Sequence, residues 1–144
     1  MLLKKTLIVS LLSTLLWSDT QSLDLNDLDG NWHLRVMDGK EVRKARAILD
    51  FDAGKMKVSG FDGCNQITGT LKGNDQHMSS TLASTRMACR ESIHSYVSKK
   101  LHETISEGFS IKEEKKYGIK GITLKSSKHE LFFKRMGKES KWFN

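Results

Sequence analysis

The spacing of apolar residues changes once along this chain, and that change limits the folds it can adopt. Within residues 89–108 the apolar side chains recur every three or four positions, as on one face of an α-helix. Charged residues occupy the other face, and Gly108 follows as a stop signal. Such stripes usually face a core, so this segment predicts one buried amphipathic helix. The apolar positions are Ile93, Tyr96, Val97, Leu101 and Ile105.

Before and after this segment, short apolar runs alternate with polar residues and end at turns that contain Gly, Asn or Asp, which is typical of β-hairpins. In the first run, Trp32, Leu34 and Val36 are expected to share one face. The pattern predicts an α+β, mostly β fold. We expect an antiparallel meander of roughly seven or eight strands that forms a small barrel or curved sheet packed around the one amphipathic helix. The runs cover residues 30–36, 47–51, 56–61, 67–71, 77–83, 109–111, 119–124 and 130–134.

Length and charge narrow the class of protein. The chain has 144 residues, enough for one domain, and carries 24 basic and 17 acidic residues for a net charge of +7. The basic residues are scattered, with no arginine-rich arm, RNA-binding aromatic motif or zinc-finger spacing. Nucleic acid is therefore not an expected partner, and the basic charge predicts a solvated surface.

The first 22 residues resemble a signal peptide. Lys4 and Lys5 precede an apolar run over residues 6–17, which spans roughly 18 Å as a helix and is too short to cross a bilayer. Small residues follow, so cleavage is expected after Ser18 or Ser22; the alternative is an uncleaved anchor. Since no cysteine lies near either site, a lipoprotein is excluded. We expect a periplasmic or secreted protein with a domain at residues 23–138 and a short tail at residues 139–144.

Two cysteines, Cys64 and Cys89, are present. In an oxidising compartment they are most simply paired, closing a loop of about 26 residues that would stabilise the fold by roughly 3–4 kcal/mol. The alternative is two buried thiols. Asp62 and Gly63 signal a tight loop before Cys64, with Asp62 interpreted as a turn residue. Met87 is expected to enter the core, and Cys89 to lie where the helix starts.

The titratable residues do not form a recognisable reaction centre. His94 and His102 lie on roughly the same helix face, but two turns apart, so they cannot share one metal. No motif of a hydrolase, phosphate-binding loop or dinucleotide site is present. Thr85 and Arg86 could bind an anion at a helix start, but the simpler interpretation is a turn and a salt bridge. We therefore expect no catalysis, no metal and no cofactor.

Several short motifs resemble the META domain family. They are the G-x-W-x-L pattern that begins at Gly30, the L-x-F-x-x-G pattern that begins at Leu49, the G-C-N-x-x-x-G pattern at residues 63–69 and the T-R-M-A-C pattern at residues 85–89. A closing L-x-F-x-R pattern begins at Leu131. The residues that carry the family motif are Gly63, Cys64, Asn65, Gly69, Thr85, Arg86, Met87 and Cys89.

The resemblance implies an envelope protein with a compact β-rich fold, a link to heat-shock and stress tolerance, and no established catalytic residue. Two functions follow as hypotheses. The first is a non-catalytic, monomeric module that binds an envelope protein or peptide. The second is a carrier that holds an acyl chain or other apolar ligand between helix and sheet. Trp142 and Phe143 in the tail either fold back onto the sheet or offer a surface for the partner.

Overall fold

The computed structural model describes residues 23–137. These residues form eleven β-strands, one α-helix and three short 3-10 helices. The signal peptide over residues 1–22 and the tail with Trp142 and Phe143 lie outside the described residues. The strands are β1 (Gly30–Met37), β2 (Lys40–Glu41), β3 (Ile48–Asp52), β4 (Lys57–Phe61), β5 (Gln66–Thr70), β6 (Lys72–Gly73), β7 (Met78–Ser79), β8 (Ala83–Ser84), β9 (Ser110–Lys116), β10 (Ile119–Lys125) and β11 (Glu130–Arg135), and the helix is α1 (Ser92–Glu107).

Nine strands make one antiparallel sheet in the order β8-β5-β4-β3-β1-β11-β10-β9, with β2 paired to β1. The first and last long strands, β1 and β11, pair with each other in the middle of this sheet. The path ends at β8 and β9 and does not close. The predicted mostly β fold with one helix is therefore confirmed, in its curved-sheet form and not as a small barrel. The strand count exceeds the prediction because four strands have two residues each.

Helix α1 packs its apolar stripe into the core. Val97, Leu101 and Ile105 are at most 1% exposed, whereas Ile93 and Tyr96 pack at the edge of the core. Gly108 ends the helix with a φ of 107°, a conformation that glycine adopts without steric cost, and its N–H donates to the carbonyl of Thr104. The predicted stripe and stop signal are both present.

Strand β1 departs from the predicted alternation. Trp32 and Leu34 are buried as expected, but Val36 is partly exposed and Met37 is fully buried. The pairing of β1 with β11 shifts register between Leu34 and Val36. Because such a bulge inserts one extra residue, the inward face moves from Val36 to Met37.

The two short strands β6 and β7 form a separate hairpin. It contacts the C-terminal end of helix α1, since Met78 forms a β-bridge with Phe109 and the N–H of Ser80 donates to the carbonyl of Ile105. The predicted strand over residues 77–83 is thus divided between β7 and β8. Within residues 23–137, no helix has the length and apolarity needed to cross a membrane.

Candidate functional site

The loop between β4 and β5 is organised by Asp62, which is completely buried. Its Oδ1 accepts hydrogen bonds from the backbone N–H groups of Cys64 (2.7 Å) and Asn65 (2.6 Å). The N–H of Asp62 donates in turn to the carbonyl of Asn65, at 2.9 Å. The tight loop predicted from the sequence is therefore present, but its aspartate does more than make a turn.

The second carboxylate oxygen of Asp62 binds helix α1. Its Oδ2 accepts from the hydroxyl of Ser98 at 2.9 Å and lies 2.6 Å from Nε2 of His102. Burial by itself raises the pKa of Asp62. The hydrogen bonds from His102 and the loop amides lower it by a larger amount, so the pKa lies below its usual value. Asp62 is therefore an ionised group that ties the loop to the helix.

A third helix residue completes this contact. Nδ1 of His94 donates to the carbonyl of Gly63 at 2.7 Å. Gly63 has a φ of 104°, and a Cβ there would lie 3.2 Å from the carbonyl oxygen of His94. His94 and His102 thus hold one loop and not one metal. The signal that could have revealed this is a polar stripe, His94-Ser98-His102, at spacings of four on the helix.

Asn65 joins the same loop to the segment before the helix. Its Oδ1 accepts from the backbone N–H of Met87 at 2.5 Å and from the hydroxyl of Thr85 at 3.2 Å. The N–H of Gln66 donates to that hydroxyl at 3.1 Å. These bonds hold residues 85–87 in an extended path across the end of β5.

The disulfide between Cys64 and Cys89 closes the structure formed by these loops, with Cα atoms 4.8 Å apart. Cys64 is buried, whereas Cys89 is exposed and lies three residues before the helix begins at Ser92. We refer to residues 62–65, residues 85–89 and the helix side chains His94, Ser98 and His102 as the junction. It joins one sheet loop, one extended segment and one helix.

An open groove of about 1040 Å³ runs beside the junction. One wall is formed by Glu41 and residues 43–46, and the other by residues 87, 88, 90 and 91. Its charged lining comprises four cations and two carboxylates: Arg43, Lys44, Arg46, Arg90, Glu41 and Glu91. Arg43 pairs with Glu41 at 3.5 Å, and Lys44 pairs with Glu91 at 3.0 Å across the two walls.

The comparison with known families matches the META domain model over residues 23–138. The chain belongs to the META domain family. An NMR structure of a protein from Burkholderia xenovorans superposes with a TM-score of 0.59 at 23% identity, covering 79% of this chain and 87% of that one. At this identity the likeness shows the fold alone. No curated protein matches the chain.

In this META domain, most motif residues build the junction. Gly63, Cys64, Asn65, Thr85 and Cys89 make the contacts described above. Close packing explains the glycine at position 69. A Cβ there would overlap the hydroxyl of Ser80 and would lie 2.9 Å from the carbonyl oxygen of Thr81. The motif therefore describes how the loops are held together.

The prediction that Met87 enters the core is wrong, since its side chain is 62% exposed. The backbone N–H of Met87 is fixed by Asn65, and Cys89 is fixed by the disulfide, so the extended segment lies on the surface. Arg86 is also exposed and has no ion pair within residues 23–137, contrary to the expected salt bridge. It lies six residues before the helix, which places it away from the helix start.

The groove of this META domain is electropositive. Burial lowers the pKa of His33, which lines the groove, and the charges of Arg35 and Arg43 lower it further. In the described part of the chain, Arg46 and Arg90 form no ion pair, so these two guanidinium groups keep their full donor capacity. The groove can therefore receive anions, with cations placed on both of its walls.

Proposed function

We propose that this META domain is a non-catalytic module of the bacterial envelope, which supports stress tolerance by binding protein partners at its surface. The observation that carries the proposal is the groove beside the junction. The Lys44–Glu91 ion pair joins its two walls, the disulfide ties one wall to the loop after β4, and the groove opens to solvent. A preorganised surface of this kind loses little conformational entropy when a partner binds.

The alternative, an acyl-chain carrier, needs space between helix and sheet. Val97, Leu101 and Ile105 reach into that region together with Leu34, Leu49 and other strand residues of one continuous core. Each of these side chains is at most 1% exposed. This packing favours a partner that binds outside the fold over a ligand held within it.

The junction supports a non-catalytic role. Asp62, its most buried acid, uses both carboxylate oxygens on four donors, so it is committed to structure. A general base or nucleophile needs a free lone pair within reach of a substrate. The disulfide and the signal-like pattern of residues 1–22 support export to an oxidising compartment.

A deletion strain of the source bacterium tests the proposal. We expect reduced survival of heat or envelope stress, restored by the full-length gene but not by a gene that lacks residues 2–22. A photo-crosslinking amino acid at position 87, which is exposed beside the groove, should form protein adducts that increase under stress. The matched position is Lys120, an exposed residue of β10.

Three results would contradict the proposal: unimpaired survival of the deletion strain, rescue by the protein without residues 2–22, or equal adducts at both positions. An acyl lipid that copurifies in equal amount with the protein would favour the carrier instead.

A further inference from the structure

We infer that the groove binds an acidic segment of the partner protein, with Arg46 and Arg90 as the residues that receive its carboxylates. This inference rests on the proposed function and specifies the chemistry of the partner.

The charge balance leaves two cations for a partner. Arg43 and Lys44 are each matched by a carboxylate of the groove, at 3.5 and 3.0 Å. Within residues 23–137, Arg46 and Arg90 have no such match. A guanidinium group can bind a carboxylate through two parallel hydrogen bonds, which makes arginine the side chain best suited to this anion.

Arg46 has a backbone conformation that an ordinary side chain rarely adopts. It ends the 3-10 helix Arg43–Ala45 with a φ of 58° and a ψ of 31°, in the left-handed region. Glycine adopts this region at no steric cost, whereas other residues are disfavoured there. Met56 ends the 3-10 helix Ala53–Lys55 in the same conformation, so at Arg46 this conformation marks the end of a helix and sets the direction in which the chain continues. The buried Ala45 anchors the turn that presents Arg46 to the groove.

The backbone of Arg90 is held in place on the opposite wall of the groove. It follows Cys89 of the disulfide and precedes Glu91, which pairs with Lys44 of the opposite wall. Both neighbours of Arg90 are thereby tied to other parts of the fold. Two arginines held on facing walls suit a segment with separated carboxylates better than a single small anion.

The groove edge adds an apolar contact. Met87 is 62% exposed beside Ala88, and the partly buried Phe61 lines the groove. Methionine adapts its shape to varied apolar partners. We therefore expect an acidic segment that also carries an apolar side chain. A protein segment can enter the groove between the two arginines, whereas the headgroups of a membrane form a broad surface that fits a groove less well.

Fluorescence anisotropy with a labelled peptide tests the inference on the exported protein, expressed from the full-length gene and purified in its oxidised form from a bacterial periplasm. The peptide has about twelve residues, with several Glu and two Leu, and the reference peptide has Gln in place of every Glu. We expect the Glu peptide to bind at least about tenfold more tightly, and to weaken as ionic strength rises from about 0.05 to about 0.3 M.

Two variants with equal charge change separate the groove from net charge. Arg46→Glu combined with Arg90→Glu should weaken binding of the Glu peptide at least about tenfold, because it reverses both receiving charges. Lys115→Glu combined with Lys120→Glu should change it less than about twofold, because these exposed lysines pair across β9 and β10, away from the groove lining. Equal weakening in the two variants would overturn the inference.

Arg46→Gly distinguishes binding from folding. Glycine relieves the left-handed strain, so the thermal midpoint should stay unchanged or rise while binding of the Glu peptide weakens. A lower midpoint would show that Arg46 serves the fold, and unchanged binding would show that it does not receive the peptide. Either result overturns the inference.

Two further outcomes identify a different ligand. Equal binding of the Gln peptide would mean that carboxylates are not recognised. Binding to vesicles with about 30% phosphatidylglycerol, lost in the double arginine variant, together with no peptide binding, would assign the groove to anionic headgroups. If the peptide fails while stress survival still depends on the exported protein, the module binds its partner elsewhere and the proposed function stands.

Discussion

At the scale of single residues, two buried ionisable groups hold distant parts of the chain together. Asp62 links the loop after β4 to the helix through four donors. His129 links the turn before β11 to Asp38 at 2.8 Å and to Glu103 of the helix at 3.0 Å. Both groups are stabilised in their charged form by hydrogen bonds, which outweigh the cost of burial.

Asp62→Asn should lower the free energy of unfolding by about 2–4 kcal/mol, because the amide nitrogen would face hydrogen-bond donors in a buried site. Urea denaturation at neutral pH measures this loss. Asp50→Asn is the matched control. Burial and the charges of Asp52 and Asp29 raise the pKa of Asp50, so removing its charge should leave stability unchanged or higher. Equal losses in the two variants would contradict the role given to Asp62.

His129 predicts a pH dependence of stability. Burial lowers the pKa of His129, but the hydrogen bonds that its ring donates to Glu103 and Asp38 raise it by more, so the pKa exceeds its usual value. The protonated contacts therefore stabilise the fold fully below about pH 6.5, and this stabilisation is lost as pH rises through the higher folded-state pKa. His33 acts oppositely, since its lowered pKa costs stability as pH falls.

The thermal midpoint should accordingly decline as pH rises from about 6.5 to about 8.5, and His129→Gln should flatten that decline. Circular dichroism melts at several pH values measure it. His77→Gln, at an exposed histidine, should keep the wild-type slope. A wild-type slope in His129→Gln would exclude this group as the source.

At the scale of elements, the junction connects helix α1 to the sheet by different kinds of bond. The disulfide holds the segment before the helix, and the polar stripe of His94, Ser98 and His102 holds the helix itself. The segment of residues 85–91 remains non-helical, because Asn65 and Cys64 draw it across the sheet. The helix consequently begins at Ser92 and not at Cys89.

Cys64→Ser and Cys89→Ser should each lower the free energy of unfolding by roughly 3–4 kcal/mol, the chain-entropy value for a loop of about 26 residues. The double variant should cost little more than either single one, since each single change already opens the loop. Denaturation of all three, beside reduced wild-type protein, measures this. Additive losses would mean that the two side chains act independently of a shared bond.

At the scale of the whole molecule, the ends of the domain meet in the middle of the sheet. Strand β11 lies between β1 and β10, and it contributes Leu131 and Phe133 to the core. Arg135 of the same strand covers the Trp32 ring at 4.2 Å and donates to the carbonyl of Asp29 at 2.6 Å. The sheet therefore cannot be completed until the last strand is present.

A chain that ends at residue 129 should fail to fold, because β1 and β10 would both lose their partner along one edge. A chain that ends at Gly137 keeps all eleven strands and should retain a cooperative thermal transition. Proteolysis and circular dichroism on both truncations measure the outcome. Loss of folding in the longer chain would assign a structural role to the tail that contains Trp142 and Phe143.

Much of the fold follows from local patterns in the sequence. The three-four spacing that includes Val97 and Leu101 predicts the helix, since burial of one face needs that period. Gly108 ends the helix because its own backbone adopts a positive φ, which glycine allows. Alternation predicts β10 and β11, but it misses most of β9, which continues to Lys116 beyond the predicted run of residues 109–111. The motif around Cys64 and Cys89 indicates the family. Each of these signals is carried by short continuous segments of the chain.

What the tertiary structure alone decided depends on residues far apart in sequence. The sequence around Asp62 indicates only a turn residue. Its second role depends on Ser98 and His102, which lie more than thirty positions away and contact it only in the folded chain. The apolar side chain of Met87 predicts a core residue. The hydrogen bond to Asn65 and the disulfide of Cys89 instead hold its segment on the surface. The groove exists because two separate segments, one with Arg46 and one with Arg90, meet beside one disulfide. Local periodicity reports which face is buried, whereas charge pairing and grooves depend on which distant segments the packed chain brings together.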